Sequence, residues 1–404
     1  MKKILAVSVL LCLLGCTDKK TESAYPVINL VNSVKNYQRV YCSDLFSSIE
    51  VIPLETTDEN IFRLTSIKSK DNIIFISGGD FIYTFDSSGN FLNTIGQKGQ
   101  GPEEYNFLGN VFFNTDKPTL FVEDFKRILE YDFNGNFINA FSRPKTEEGY
   151  MLGNCSYVGN GLFIGSISYN GKNENKSCLF NNNGEIIESF PNHFFYEVDG
   201  LGGTSWGALS PIRVDDKLYF KDECANDTIY VLDNLNLKPA YVFELGDYTV
   251  PIKYFQTFDP SDLVPTNAFV FKKVIGTPKY FFYEMRCIPQ SLPYPKMSNN
   301  NINNVLGIYD VKEGTNIFLD TDDNLRTGIV NDMNGGLPFI PAFYAGNGTL
   351  IGVWNPDEMI ETLTDEYFNS QTIKDHEGHQ KLKGLLKELK EDDNTVVVIA
   401  TLKD

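Results

Sequence analysis

Histidine is nearly missing from this chain of 404 residues, which has only His193, His376 and His379. A Ser-His-Asp hydrolase holds a histidine between a nucleophile and an acid, and with three histidines such an arrangement is thinly supported, although Gly203-Thr-Ser-Trp-Gly207 has the Gly-x-Ser-x-Gly form. His376-Glu-Gly-His379 also misses the zinc-hydrolase pattern, in which an i, i+4 pair shares one helical face. Here a glycine intervenes and the spacing is i, i+3, so the stretch reads as part of a solvated helical insertion. Positive charge is in deficit as well: 35 Lys and Arg stand against 53 Asp and Glu, for a net charge of −18. Loss of the first 15 residues, with Lys2, Lys3 and no acid, would take this to −18 − 2 = −20. Nucleic-acid surfaces need clustered cations, so scattered acids of this density exclude that class and disfavour anionic headgroups. Long apolar runs are lacking too. The longest near the N-terminus, Ile4 to Leu14, covers about 11 residues, against roughly 20 for a spanning helix. The cysteines show no Cys-x-x-Cys spacing, which removes the usual zinc and thiol-redox motifs.

What is present begins with a leader. Met1-Lys-Lys, the short apolar run and small residues at Gly15-Cys16 describe a secretory signal over residues 1–15. Leu13-Leu14-Gly15-Cys16 resembles the lipobox of bacterial lipoproteins. The resemblance implies a lipid attachment, palmitate among the acyl chains, on Cys16, and a periplasmic or surface position at the outer membrane. Each buried acyl methylene would contribute about 0.8 kcal/mol to anchoring. Residues 16–41 then read as a tether and lead-in.

The body is rich in Phe, Tyr, Asn and Gly and repeats itself. Tyr83-Thr-Phe-Asp-Ser-Ser-Gly-Asn-Phe91 matches Leu129-Glu-Tyr-Asp-Phe-Asn-Gly-Asn-Phe137, and Cys178-Leu-Phe-Asn-Asn-Asn-Gly-Glu-Ile186 follows. Each predicts a strand, a tight turn with positive φ at Gly, Asn or Asp, and a returning strand. Another short β run precedes each hairpin, as in Ile73-Ile-Phe-Ile76 and Leu120-Phe-Val122. Units of about 40 to 50 residues with this layout are propeller blades. The last unit ends in Val396-Val-Val-Ile-Ala400 without a partner hairpin, whereas Ser48-Ile-Glu-Val-Ile-Pro-Leu54 is an orphan strand near the start. Pairing the two removes both open edges. The expected fold is therefore all-β, a six-bladed β-propeller over residues 42–404. Its last blade is closed by the N-terminal strand, and insertions lie at about 247–300 and 357–392, the second one helical.

Three markers also carry a family resemblance: Cys42-Ser-Asp-Leu-Phe-Ser-Ser-Ile-Glu-Val-Ile-Pro-Leu54, Gly96-Gln-Lys-Gly-Gln-Gly-Pro-Glu-Glu-Tyr105 and the terminal Asp393 to Lys403. Together they resemble the exported six-bladed, NHL-like β-propeller lipoproteins of Bacteroidota. The resemblance implies fold and compartment and brings no catalytic residues with it.

The glycine-rich marker is not a phosphate loop. Its lysine precedes the second glycine, Pro102 deletes an amide donor, and no Ser or Thr follows to reach a metal. It reads as the connector from blade one to blade two, with Tyr105 packed between blades and Lys98, Glu103 and Glu104 available to a ligand. Blade-to-blade connectors and second-to-third loops share one face, termed upper, where ligands are expected. Trp206, Arg213, Arg127, Arg143 and Lys98 are the candidate ligand-binding residues on it, with Lys126 and Lys145 beside them. Asp80, Asp124, Asp222 and Glu284 follow second strands and are the weak candidates for an axial calcium; otherwise no metal or cofactor is expected. Of the five cysteines beyond Cys16, Cys224 and Cys287 take nearly equivalent places in blades four and five and form the disulfide candidate. Asp227-Thr228-Ile229 has the form of a short O-glycosylation motif.

These features favour a monomeric, non-enzymatic binding module for a peptide, glycan or protein partner, with contact to the membrane only through its lipid. The alternatives are a calcium-dependent lyase or lactonase-type hydrolase and a scaffold subunit of an outer-membrane transport complex.

Overall fold

The computed structural model describes residues 25–34, 37–168, 171–197, 209–222, 227–250, 268–288, 304–320 and 327–404. Its strands form six sheets, each built on four antiparallel strands, set around one axis as a six-bladed propeller. Blade one shows the pattern: Leu64–Lys70 innermost, then Ile73–Gly78, Phe81–Phe85 and the outer Phe91–Thr94. The inner strands of the other blades are Val111–Phe113, Leu152–Gly159, Leu209–Val214, Ala268–Gly276 and Phe343–Gly346.

Second strands such as Ile73–Gly78 and Thr119–Glu123 read as continuous apolar runs because neighbouring blades cover both faces of the sheet. Between blades two and three the core is aromatic. The buried Phe163 ring lies 5.0 Å from Phe121, 5.1 Å from Tyr157 and 5.3 Å from Phe180. Offset and edge-on pairs of this kind add about 0.5–1.5 kcal/mol each beyond area burial.

The repeated Asp-x-x-Gly-Asn turn has two jobs. Asp86 accepts the Ser88 and Asn90 amides at 2.8 and 2.9 Å, and Asp132 does the same for Asn134 and Asn136 at 3.0 and 2.8 Å. The glycine takes positive φ (+88° at Gly89, +87° at Gly135). It also abuts the preceding blade: a Cβ on Gly89 would sit 2.1 Å from the Pro53 carbonyl oxygen, and one on Gly135 would sit 2.6 Å from that of Thr94. The repeat that marks each hairpin therefore also spaces the blades.

The ring closes as the orphan strands require. Val396–Leu402 pairs antiparallel with Phe46–Pro53, from Val396 opposite Pro53 to Leu402 opposite Phe46. Blade six also carries the helical insertion, with helices Pro356–Thr362, Asp365–Ser370 and His376–Leu385. Met359, Leu363, Phe368 and Leu382 seat these helices on a core shared with Trp354 and Phe339.

Two expected boundaries change. The lead-in is more than a tether, because Val27–Asn29 runs parallel to the outer strand of blade four and Tyr37–Gln38 parallel to that of blade five. The stretch 247–300 is not one insertion either: Ala268–Gly276 and Tyr280–Ile288 within it are the first two strands of blade five. Polar and aromatic residues blurred that boundary, since the inner strand there carries Lys272 and Lys273.

Truncation ahead of Val396 should open the ring and expose the Phe46–Pro53 edge. The expected product is aggregated or digested by trypsin within minutes under conditions the intact chain survives. A truncated monomer with an unchanged thermal melt would contradict closure as the source of stability.

Candidate functional site: a cationic axial channel

Inner strands in a propeller have one edge without a strand partner, and that edge faces the axis. Whatever polar residues the sequence puts there line a channel. Two adjoining cavities occupy it, sharing Lys68, Pro211, Arg213, Phe343 and Tyr344. The upper cavity has a volume of about 380 Å³, and the lower, about 790 Å³, reaches the hairpin turns at Asp71-Asn72, Asp215 and Asn347 and extends outward between blades six and one. The sizes fall in the range of small-ligand sites.

The charge of the upper cavity opposes that of the chain. Its described lining includes Lys68, Arg213, Lys221, Lys272 and Lys273 and no acidic side chain, in a protein of net charge −18. Two of the five are engaged locally. Lys272 pairs with Glu284 at 3.1 Å, and Lys221 donates to the Asp222 carbonyl with its ammonium 4.6 Å from the Phe271 ring centre.

The other three differ. Lys68, on the inner strand of blade one, has no hydrogen bond or ion pair to any described residue. Enclosure by protein, together with the nearby Lys273 charge, pushes its ammonium down to about 8, against a small opposing pull from Glu123. Lys273 is lowered in the same direction by the surrounding protein, with Glu284 opposing, although its side chain stays open to the channel water. Arg213 donates one N–H to the Tyr157 carbonyl at 2.5 Å and faces the cavity with its remaining donors; burial alone lowers it. A half-buried ammonium such as Lys68, with no partner among the described residues, is costly, and an anion in the channel would offset that cost.

The lower cavity is mixed. Lys70 donates to the Asn114 carbonyl and is lowered first by burial, with Asp71 opposing and Arg213 reinforcing. Aromatic residues Phe113, Tyr157, Phe343 and Tyr344 line it together with Asp71, Asp215 and Glu50. Tyr344 donates to Asp215 at 2.9 Å and Tyr157 to Asp116 at 2.7 Å.

Of the described residues expected at the site, Arg213 alone lines these cavities, and at a different height. It lies opposite Leu218, one pair before the turn that joins Val214 to Lys217, so it belongs toward the lower end and not on the upper face. The inner strand descends from the upper connector, and position within that strand sets the height.

Arg127 and Arg143 are framework. Arg127 donates to the carbonyls of Gly101 (3.1 Å), Pro102 (2.8 Å) and Glu104 and lies 3.3 Å from Asp124. It thereby pins the glycine-rich connector, whose Tyr105 is fully buried and donates to the Asp80 carbonyl at 2.9 Å. Arg143 donates to the Leu152 and Asp124 carbonyls at 2.6 and 2.7 Å. Lys98 forms an exposed ion pair with Asp80 at 2.7 Å.

The four acids considered for calcium do not converge. Asp80 is held by Lys98, Asp222 lies 3.7 Å from the buried Lys176, and Glu284 pairs with Lys272. Burial would raise the Asp124 carboxyl, but hydrogen bonds from the Phe125 amide, Asn106 and Arg127 outweigh it and hold it below the usual carboxylate range. No three His, Cys, Asp or Glu side chains gather as a metal site among the described residues. Trp206, Cys16 and Cys224 lie outside those residues, as does the side chain of Cys287, so the disulfide candidate does too. The described Cys42, Cys155 and Cys178 are buried free thiols.

One serine has neighbours of catalytic type. Ser43 donates to Asp332 and accepts from Lys374, both at 2.6 Å. The hydrogen bond to Asp332 raises Lys374, so it stays protonated. Burial acts to raise Asp332, yet hydrogen bonds from Lys374 and Ser43 leave it lowered. The trio fastens the helical insertion to the N-terminal segment. His379 is equally structural, buried with Nδ1 2.9 Å from the Asn334 carbonyl.

Among known proteins, the fold and channel place the chain with the six-bladed propellers. It belongs to the family described as a domain of unknown function, DUF4934, which matches residues 25–401. It is similar in fold to a protein of Bacteroides fragilis NCTC 9343 described as exported: TM-score 0.66 and 17% identity, covering 94% of this chain and 100% of that one. It is also similar to a DUF4221 family member from Bacteroides vulgatus ATCC 8482: TM-score 0.53 and 12% identity, covering 89% and 97%. No curated protein matches the sequence.

Two outcomes test this site. Lys68→Met should raise stability at pH 7 by roughly 1–3 kcal/mol, because a charged group in an unfavourable place is removed. The unfolded lysine binds its proton up to about pH 10.5 and the folded one only to about 8, so the unfolded state holds more protons in between. Wild-type stability therefore rises with pH across that window, and urea melts of the two proteins should converge above it; parallel curves would contradict the shift. Arg127→Ala should cost about 2–4 kcal/mol through unsatisfied carbonyls and leave ligand affinity in the channel unchanged.

Proposed function

We propose that this protein is an exported, lipid-anchored binding module that catalyses nothing and takes an anionic ligand in its axial channel. The observation that carries this reading is Lys68, a half-buried ammonium with no partner among the described residues, lining the same cavity as Lys273 and Arg213. Ordinary framework cations in this chain have partners, as Arg127, Arg143 and Lys176 do. Export rests on the leader and Cys16, and it agrees with the description of the similar Bacteroides fragilis protein. Among the described residues no helix is long and apolar enough to cross a membrane; the anchor in this reading is a lipid on Cys16.

A protein or peptide partner at the upper face is a second reading. Phe107 and Phe125, 48% and 61% exposed, stack there with ring centres 4.9 Å apart, next to the loop that Arg127 holds.

Sulfate should raise the midpoint of thermal unfolding in a saturable way at pH 7, compared with chloride at equal ionic strength. The response should weaken about tenfold in apparent affinity by pH 9 as Lys68 loses its proton, and it should vanish in a Lys68→Gln, Arg213→Gln double variant. An equal response from wild type and variant would overturn the channel as the binding site. For the anchor, Cys16→Ser should move the protein from the membrane to the soluble fraction, and an unchanged pellet would refute lipidation.

A further inference from the structure

The two cavities sort charge and chemistry along the axis, and this narrows the ligand class. This inference rests on the anion-binding reading above. Where the cavities meet, Arg213 offers a planar fork of donors matched to a carboxylate or sulfate, and Lys68 adds a point charge. Beyond this junction the lower cavity changes character. Hydroxyls of Ser69, Ser156 and Thr115 and the amide of Asn72 mix with the aromatic Tyr344 and the acid Asp71. Such a wall presents acceptors and donors together with aromatic surface. It suits a body rich in hydroxyls that can donate to carboxylates and lay its apolar C–H face on a ring. It does not suit a polyanion, which Asp71, Asp215 and Glu50 would repel. Nor does it suit a purely apolar chain, which would strand these polar groups.

We propose that the ligand is an acidic saccharide whose carboxylate or sulfate sits between Lys68 and Arg213 while its sugar ring occupies the lower cavity. The volume of about 790 Å³ leaves room for more than one ring. The open turns at Asp71-Asn72 and Asn347 put the rest of an oligosaccharide toward the lower face. No covalent step is involved.

The test is calorimetric titration of the full chain at pH 7 with glucuronate, galacturonate and glucose 6-sulfate, each compared with acetate or sulfate and with glucose. At least one acidic sugar should bind tenfold or more tightly than the matching simple anion, with glucose silent, and Arg213→Gln should remove at least tenfold of that affinity. Equal affinity for acidic sugar and simple anion, both sensitive to Arg213→Gln, would overturn the saccharide assignment and leave the anion site standing. Glucose binding as well as glucuronate would overturn the role of the acid group. Binding of no anion, or binding indifferent to both Lys68→Gln and Arg213→Gln, would overturn the channel reading itself. A circular dichroism melt of each variant checks that loss of affinity is not loss of fold.

Discussion

The pairing of Val396–Leu402 with Phe46–Pro53 is the constraint on which everything else depends. Six blades bury their faces only against neighbours, so a ring with one gap would expose two whole sheet faces and two strand edges. Pairing a strand from near each end of the chain inside one sheet closes the last blade by hydrogen bonds. The added strands Val27–Asn29 and Tyr37–Gln38 extend the same logic to the perimeter, where they cover the outer edges of blades four and five. A closed ring also creates an axis, and an axis lined by strand edges is a place for polar residues with no sheet neighbour on one side.

That geometry explains how an acidic protein can hold a basic interior. Surface acids dominate the net charge of −18, yet solvent screens them beyond about 8–10 Å. Inside the channel there is less water to do so, and its cations act on one another in pairs: Lys273 on Lys68, and Arg213 on Lys70. The neighbouring acids relieve only part of this, because Glu284 is already engaged with Lys272. Under the proposed function, such a channel would favour a negative guest, which would complete its electrostatics.

The fold was largely legible in the sequence, and the site was not. The Asp-x-x-Gly-Asn turns, the orphan strand at Ser48 and the terminal valine run each had one economical interpretation, and the strand pairing agrees with all three. The glycine-rich connector also gave itself away, since Pro102 and the misplaced Lys98 spoke against a phosphate loop; Gly101 and Glu104 hydrogen-bond within it instead. Lys68 offered no such cue. In Thr65-Ser-Ile-Lys-Ser-Lys70 it looks like any solvated charge, and its meaning depends on that strand being innermost, which only three-dimensional stacking decides. Lys272-Lys273 amid Phe and Val was a usable signal, because paired cations inside an apolar inner strand need a polar place to point. Arg213 was recognised as a residue type and misplaced in height, for want of the register that sets it beside the lower turn.

The central claim is that an anion completes the electrostatics of the channel, and the Lys68 ammonium reports on it directly. Its titration can be followed by NMR through the side-chain resonances of selectively labelled lysine, with and without saturating sulfate. The account predicts that the free protein titrates near 8 and that the bound anion moves this upward by a unit or more, since an opposite charge nearby favours the protonated form. A Lys68 pKa that is the same in both conditions would contradict it.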